Sequence, residues 1–168
     1  MKKLLPLSIA SVIATNSFAG QNLGVSYSSI DMALLDLKPS MMNLHLESDN
    51  HRNIRAEGRF SLGLTDDESF YNGAHISAEI DHVVSVHFKL SPDFDATVAP
   101  YLSIGYAHVE ATATADVGYN WTEVTESVSD SIIGVGLRMK LDERASGFVE
   151  IGKFDDSDVV SFGMFFPI

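Results

Sequence analysis

The chain has 168 residues, 11 basic against 23 acidic side chains for a formal net charge of −12, and no cysteine. That acidity argues against a nucleic-acid partner, which wants a basic patch, and the missing thiols exclude disulfides, thiolate metal sites and thiol redox chemistry. The length suits one domain, and beyond the N-terminus no segment has the roughly 18 consecutive apolar residues of a spanning helix.

Lys2 and Lys3 precede an apolar run over residues 4–15, and Ser17 and Ala19 put small side chains at the −3 and −1 positions of a cleavage point. This is the three-part pattern of a secretory signal, and the run falls short of the roughly 20 residues that a membrane helix needs. The expectation is a signal peptide over residues 1–19 and a mature domain over residues 20–168. Loss of Lys2 and Lys3 takes the balance from −12 to −14. A small exported domain without disulfides must draw its stability from a large core or from a bilayer.

Eight segments with a two-residue period follow. Residues 23–29 set Leu23, Val25 and Tyr27 against Gly24, Ser26 and Ser28. Residues 41–47 set Met42, Leu44 and Leu46 against Asn43, His45 and Glu47. Residues 54–64 carry Ile54, Ala56, Phe60, Leu62 and Leu64 on one side and Arg55, Glu57, Arg59 and Ser61 on the other. Residues 76–90 hold the alternation longest: the even positions are apolar except His82, and the odd ones polar except Val83. Residues 98–108 set Leu102, Ile104 and Tyr106 against Tyr101, Ser103 and Gly105, with Pro100 near the start, where a missing donor is tolerated. Residues 131–141 oppose Ile133, Val135, Leu137 and Met139 to Gly134, Gly136, Arg138 and Lys140. Residues 146–154 oppose Val149 and Ile151 to Glu150 and Gly152, and residues 159–168 oppose Val160, Phe162, Met164 and Phe166 to Ser161, Gly163 and Phe165.

Successive side chains of a strand point to opposite faces, so each segment has one apolar and one polar face. Ordinary strands run about 5–6 residues. Longer strands with a polar face suggest a sheet whose apolar side meets lipid and whose polar side lines an interior. The joints agree. Residues 48–52, 91–96 and 142–145 are short, residues 30–40, 65–73 and 110–130 are long, and the short joint 155–158 breaks the trend. Outer-membrane barrels have short periplasmic turns and longer outer loops. The expected fold is all-β: an eight-stranded antiparallel up-and-down transmembrane β-barrel with both termini on the periplasmic side. A soluble β-sandwich, with the apolar faces as its core, is the competing fold.

Folding about the joints sets Arg138 opposite Glu150, Arg59 opposite Glu79, and His45 beside Arg55. A slip of two residues changes such pairs but keeps opposite charges on one face. Arg55, Glu57, Arg59, Glu79, Arg138 and Glu150 are therefore expected to form a polar network in the barrel interior, because charges in so narrow a lumen must be paired or wetted. The outer joints are acidic, with Asp66, Asp67 and Glu68, then Glu110, Asp116, Glu123, Glu126 and Asp130, then Asp155, Asp156 and Asp158. None of these runs has the spacing of a calcium loop, so they are read as solvated charge. Tyr119 and Trp121 on the longest joint are candidate contacts for a host surface molecule or lipopolysaccharide. No histidine set has metal-ligand spacing, so neither a metal site nor a cofactor is expected.

The 101–106 strand Tyr-Leu-Ser-Ile-Gly-Tyr, the 134–138 strand Gly-Val-Gly-Leu-Arg, the signal pattern and the amphipathic end with Phe162, Phe165 and Phe166 carry a resemblance. The chain resembles the small outer-membrane β-barrel proteins of Gram-negative bacteria, the OmpA-transmembrane-domain and OmpX/Ail-like group, over essentially its whole mature length. The resemblance implies location in the outer membrane among its lipid and lipopolysaccharide, and the barrel-assembly machinery as a partner during biogenesis. In that group a terminal aromatic helps the machinery recognise the last strand; this chain ends Phe166-Pro167-Ile168 and departs from it. One lipid A deacylase family uses a His-x-Ser pair, which His75-Ile76-Ser77 matches without the family's surrounding context. The expectation is a non-enzymatic integral outer-membrane barrel with a structural or cell-surface interaction role and a lumen plugged by its polar network. The alternatives are a narrow ion or solute channel and, behind it, a lipid A-modifying enzyme.

Overall fold

A computed structural model describes residues 20–32, 37–48, 52–71, 74–117 and 120–168. The expected signal peptide and Tyr119 lie outside the described residues. Nine strands follow one another: β1 (Gln21–Asp31), β2 (Ser40–Ser48), β3 (Ile54–Thr65), β4 (Asp67–Tyr71), β5 (Ala74–Leu90), β6 (Val98–Val117), β7 (Asn120–Lys140), β8 (Ser146–Phe154) and β9 (Ser157–Pro167). They hydrogen bond in the order β3-β2-β1-β9-β8-β7-β6-β5-β4, and a further β3–β5 pairing closes the ring. β4 prolongs β3 beyond Asp66 along the same partner β5, so the closed wall has eight staves. The first and last strands zip together, with Leu23 opposite Phe166 and Tyr27 opposite Phe162. Closure leaves the wall without the unpaired edge that an open sheet exposes.

Which face is inside decides between a barrel in lipid and a sandwich in water. Leu44, Phe88, Val135, Leu137, Ile151 and Phe162 are exposed, whereas Asn43, His45, Glu47, Arg55, Glu57 and Lys89 on the opposite face of the wall are buried. An apolar exterior around a polar interior is the reverse of a soluble fold and fits a wall bathed in acyl chains. The lumen itself is filled in two storeys. Near the short turns it holds charged and aromatic side chains; towards the other end, Ile30, Met41, Val83, Ala107, Phe154 and Val159 close it with an apolar cluster. Gly136 shows how tightly the lower storey is filled: a Cβ there would stand 2.3 Å from the Tyr101 ring, so the missing side chain makes room for that ring.

Three departures from the sequence reading matter. The joint expected over residues 110–130 is largely strand: β6 and β7 stay paired from Glu110↔Ser127 to Val117↔Asn120. The joint expected over residues 65–73 contains β4. Thr and Val favour strand here, while Ala and Glu, poorer strand formers, make the stretch look loop-like in composition. The third departure is inside β5. Ile80 pairs with Ala111 and His82 with Glu110, leaving Asp81 as a β-bulge. A bulge adds one residue and reverses the facing of everything beyond it. Ile80 and Val83 are consequently both buried, although three positions apart, and Glu79 turns outward and is exposed.

Candidate functional site

Arg55, Glu57, Arg59, Arg138 and Glu150 lie together inside the barrel, and the structure adds Glu47 and Lys89 to them. The Glu57 carboxylate accepts from Arg59 at 2.8 and 3.0 Å and from Lys89, and it stands 3.1 Å from the His45 Nδ1. Arg59 also reaches Glu150 at 3.1 Å, bridging β3 to β8 across the lumen. Glu47 accepts from Arg55 at 2.8 Å, from Arg138, and from the Asn22 amide at 3.2 Å. Lys89 sits between the carboxylates, 3.6 Å from Glu47 and 3.9 Å from Glu150. Its Nζ also lies 5.0–5.3 Å from the rings of Tyr101, Phe148 and Phe165, within cation–π range. Four cations thus surround three carboxylates, one positive charge in excess, and charge pairing together with ring faces replaces the hydration that burial removes.

Glu79 is corrected: it was expected in this network and stands on the exposed outer face, because the Asp81 bulge flips its phase. The individual pairs are corrected too. Arg138 faces Phe148 while Glu150 faces Gly136, Arg59 faces Ser85, and His45 faces Arg59. Below the bulge these slips are even, so the polar residues kept their face. Glu47 and Lys89 are absent from the set expected from the sequence, although both occupy polar-face positions of their strands, where parity alone places them inside.

A hydrogen-bond chain outside the sequence reading runs Ser26–His45–Glu57, with 2.7 Å from Ser26 Oγ to His45 Nε2 and 3.1 Å from His45 Nδ1 to Glu57. These are the atoms of a hydrolytic triad. The surroundings do not match the chemistry. The Ser26 hydroxyl also accepts from Asn43 at 2.6 Å, and Gly163 packs against it so closely that a Cβ there would lie 2.4 Å from the Ser26 Cβ. The nearby lumen cavity measures about 30 Å³ and is not lined by Ser26, room for about one water and none for an acyl group. His75 and Ser77, the other nucleophile–base candidate, sit on the polar parity of β5 and face outward beyond the bulge. His75 pairs with Glu68 at 3.1 Å and Ser77 donates to Asp66 at 3.3 Å. Among the described residues no three acidic or histidine side chains converge in metal-binding geometry.

Above the bulge, β4, β5, β6 and β7 continue as a four-stranded sheet. One register row across it reads Phe70, His75, Asp116, Trp121, and the next row on the same face reads Glu68, Ser77, Thr114, Glu123. Phe70 is 73% exposed and Trp121 66% exposed, so two bare rings flank carboxylates on the outer face. Among the described residues at this end, Lys38 and Lys153 are the only lysines or arginines, and they pair with Asp31 at 2.9 Å and Asp158 at 3.7 Å. The net negative charge is therefore concentrated here.

At the opposite end, residues 91–97 join β5 to β6. Arg52 grips Asp93 with two bonds of 2.9 and 2.7 Å. The guanidinium bond, then the Asp95 backbone amide, hold the Asp93 carboxyl down at about 2, and the same pairing raises the Arg52 pKa.

Comparison with known proteins agrees with this architecture. The family model of the outer membrane protein beta-barrel domain matches residues 4–165. Neisserial surface protein A is similar in structure, with a TM-score of 0.56 at 10% identity over 88% of this chain and 96% of that one. So is Ail, the attachment invasion locus protein of Yersinia pestis, solved with the heparin analogue sucrose octasulfate: TM-score 0.52, 17% identity, 86% of this chain and 93% of that one. The N-terminal β-barrel domain of Pseudomonas aeruginosa OprF gives 0.51 at 12% identity, covering 86% and 96%. These identities speak to the fold alone. No curated protein matches the sequence.

Proposed function

We propose a role that proceeds from one premise: this chain belongs to the outer membrane protein β-barrel family. It is an outer-membrane β-barrel, and we infer that it is a non-enzymatic one, exported with a cleaved signal peptide and inserted by the barrel-assembly machinery. Outer-membrane lipid and lipopolysaccharide surround its wall. The lumen is plugged, and the projecting sheet serves as a cell-surface contact.

The observation that carries the plug is the paired charge cluster of Glu47, Glu57, Glu150, Arg55, Arg59, Lys89 and Arg138 below an apolar cluster, with a cavity of only about 30 Å³ nearby. A hydrated ion meets no open path through such a filling. Recording in planar bilayers tests this: the purified barrel gives no conductance above the bare membrane, and steady unitary steps would favour the channel reading instead.

The contact role rests on the outer face of the projecting sheet. The heparin analogue bound to the Yersinia protein is a polyanion. Here Glu68, Glu79, Asp116 and Glu123 share the face with Phe70 and Trp121, so the chemistry favours a ligand that presents ammonium or guanidinium groups to carboxylates and ring faces. Titration of the nanodisc-embedded protein with a lysine-rich peptide and, separately, with sucrose octasulfate tests it. Binding of the peptide that weakens in Trp121→Ala supports the reading; binding of the polysulfate alone overturns it.

A further inference from the structure

On the side of the barrel made by β2, β3 and β5, the inward side chains nearest the short-turn rim are unexpectedly dry. Arg55 and Lys89 are the first or last inward positions of β3 and β5, where a barrel mouth meets water, yet they are 4% and 1% exposed. Glu47, the last inward position of β2, is buried as well, and so are Arg138 and Phe165, each one inward position short of the exposed Lys140 and Pro167 that end β7 and β9. A charge at an open rim would keep its hydration, so something covers this end.

The covering element is visible in residues 91–97. The turn folds back under the barrel, and Phe94 at its tip is 2% exposed although it belongs to no strand. The Arg55 guanidinium lies 4.5 Å from its ring centroid, and the Tyr101 ring is 6.1 Å away. Phe94 and Tyr101 form a small apolar cluster with Ala99, separate from the upper storey. The turn is fastened on two sides. Its Phe94 amide donates to the Arg52 carbonyl at 2.9 Å and its Ser91 amide to the Asn53 carbonyl at 3.0 Å. The Asn53 side chain donates back to Ser91 at 3.2 Å and to Pro92, and Arg52 clasps Asp93. From the β7 side, Lys140 donates to the Asp95 carbonyl at 2.6 Å.

We propose that residues 91–97 are a latched stopper: Phe94 seals the short-turn mouth of the lumen over Arg55, and the Arg52–Asp93 clasp adds to the backbone bonds that hold the turn in place. The stopper is separate from the apolar upper cluster, so the charged storey is sealed independently at its two ends. Releasing Phe94 admits water to the charged storey from the short-turn end while the other end stays closed. A surface ion pair between flexible side chains is weak, which makes the clasp a minor restraint and the ring the main seal. This device concerns the lumen and stands apart from the contact role assigned to the projecting sheet.

The absence of native cysteine makes the test clean. Two single-cysteine reporters, Ala99→Cys beside Phe94 and Ala107→Cys in the upper apolar cluster, are placed in the full barrel in nanodiscs and exposed to a charged methanethiosulfonate reagent. Both are expected to label slowly. Phe94→Ala is expected to raise Ala99→Cys labelling at least tenfold and leave Ala107→Cys unchanged. Arg52→Ala, which retains the ring, is expected to raise it by about two- to fivefold. Equal acceleration of both reporters means general loosening of the barrel and overturns the stopper. No change at Ala99→Cys in Phe94→Ala also overturns it, as does rapid labelling of Ala99→Cys with the stopper intact.

Discussion

The wall of the barrel and the sheet that projects from it share three strands, β5, β6 and β7, which carry opposite polarity in the two regions. In the wall, β6 points Leu102, Ile104 and Tyr106 outward and Tyr101, Ser103 and Gly105 inward; further along the same strand the outward residues are Glu110, Thr112, Thr114 and Asp116 and the inward ones Val109, Ala111, Ala113 and Ala115. β7 makes the same change between Ile133 and Ser131 on its outward side. β5 makes it across the Asp81 bulge, from Val84 and Phe88 outward to Ser77 and Glu79 outward. Between β6 and β7 backbone pairing is continuous through the change. The hydrogen-bond ladder is indifferent to its solvent, whereas the side chains are not, so the level at which polarity inverts marks where acyl chains give way to water.

The largest effect separates two glutamates that the sequence grouped together. Glu57→Ala strips a buried carboxylate from Arg59, Lys89 and His45 and should cost about 3–5 kcal/mol. Glu79→Ala, on the exposed face of the projecting sheet, should stay within about 0.5 kcal/mol. Urea unfolding of the folded barrel compares them, and equal losses would place Glu79 back inside.

That contrast also shows what the residues alone could reveal. Strand positions in the wall were legible because lipid outside and charge inside impose a strict two-residue period; residues 146–154 were expected as a strand and β8 is Ser146–Phe154. The charges of the network were legible as a set because even register slips keep a face. The phase beyond Asp81 was not. His82 and Val83 interrupt the alternation in β5, and that interruption is the trace of the bulge, but a break in pattern does not say whether one residue was inserted or two were substituted. The hairpin tip was hidden for another reason: Thr, Ala and Glu at its alternating positions give no strong apolar face, since neither side of that sheet meets lipid.

A second comparison stays on one strand and one face. Val135→Arg, within the apolar band of β7, should cost about 2–4 kcal/mol. Thr125→Arg, ten positions away on the same outward face, should change stability by no more than about 0.5 kcal/mol. Packing gives a smaller contrast. Gly136→Ala drives a methyl into the Tyr101 ring and should lose about 1–3 kcal/mol, while Ala113→Val, on the thinly covered inner face of the projecting sheet, should be near neutral. Thermal denaturation in one detergent ranks all four variants.

The smallest effect lies at the short-turn end. Because Arg52 holds the Asp93 carboxyl near 2 in the folded chain, below its ordinary 3.8, the stabilisation is fully present above pH 3.8 and is lost as the pH falls through about 2. Carboxyl-carbon NMR should titrate Asp93 with a midpoint near 2, moving up towards the ordinary value in Arg52→Ala. A midpoint at the ordinary value in the parent chain would mean that the clasp is not populated.

The central claim is that one outward face meets lipid below Asp81 and water above it, with the phase reversed at the bulge. Nitroxide side chains placed one at a time along β5 in nanodiscs test this directly, read by accessibility to oxygen and to a water-soluble nickel chelate. Positions 84, 86, 88 and 90 should be accessible to oxygen, and positions 75, 77 and 79 to nickel, with the alternation shifting by one residue at Asp81. An even-numbered oxygen pattern running unbroken from 76 to 90 would contradict the bulge, and nickel accessibility at 84–90 would contradict the barrel.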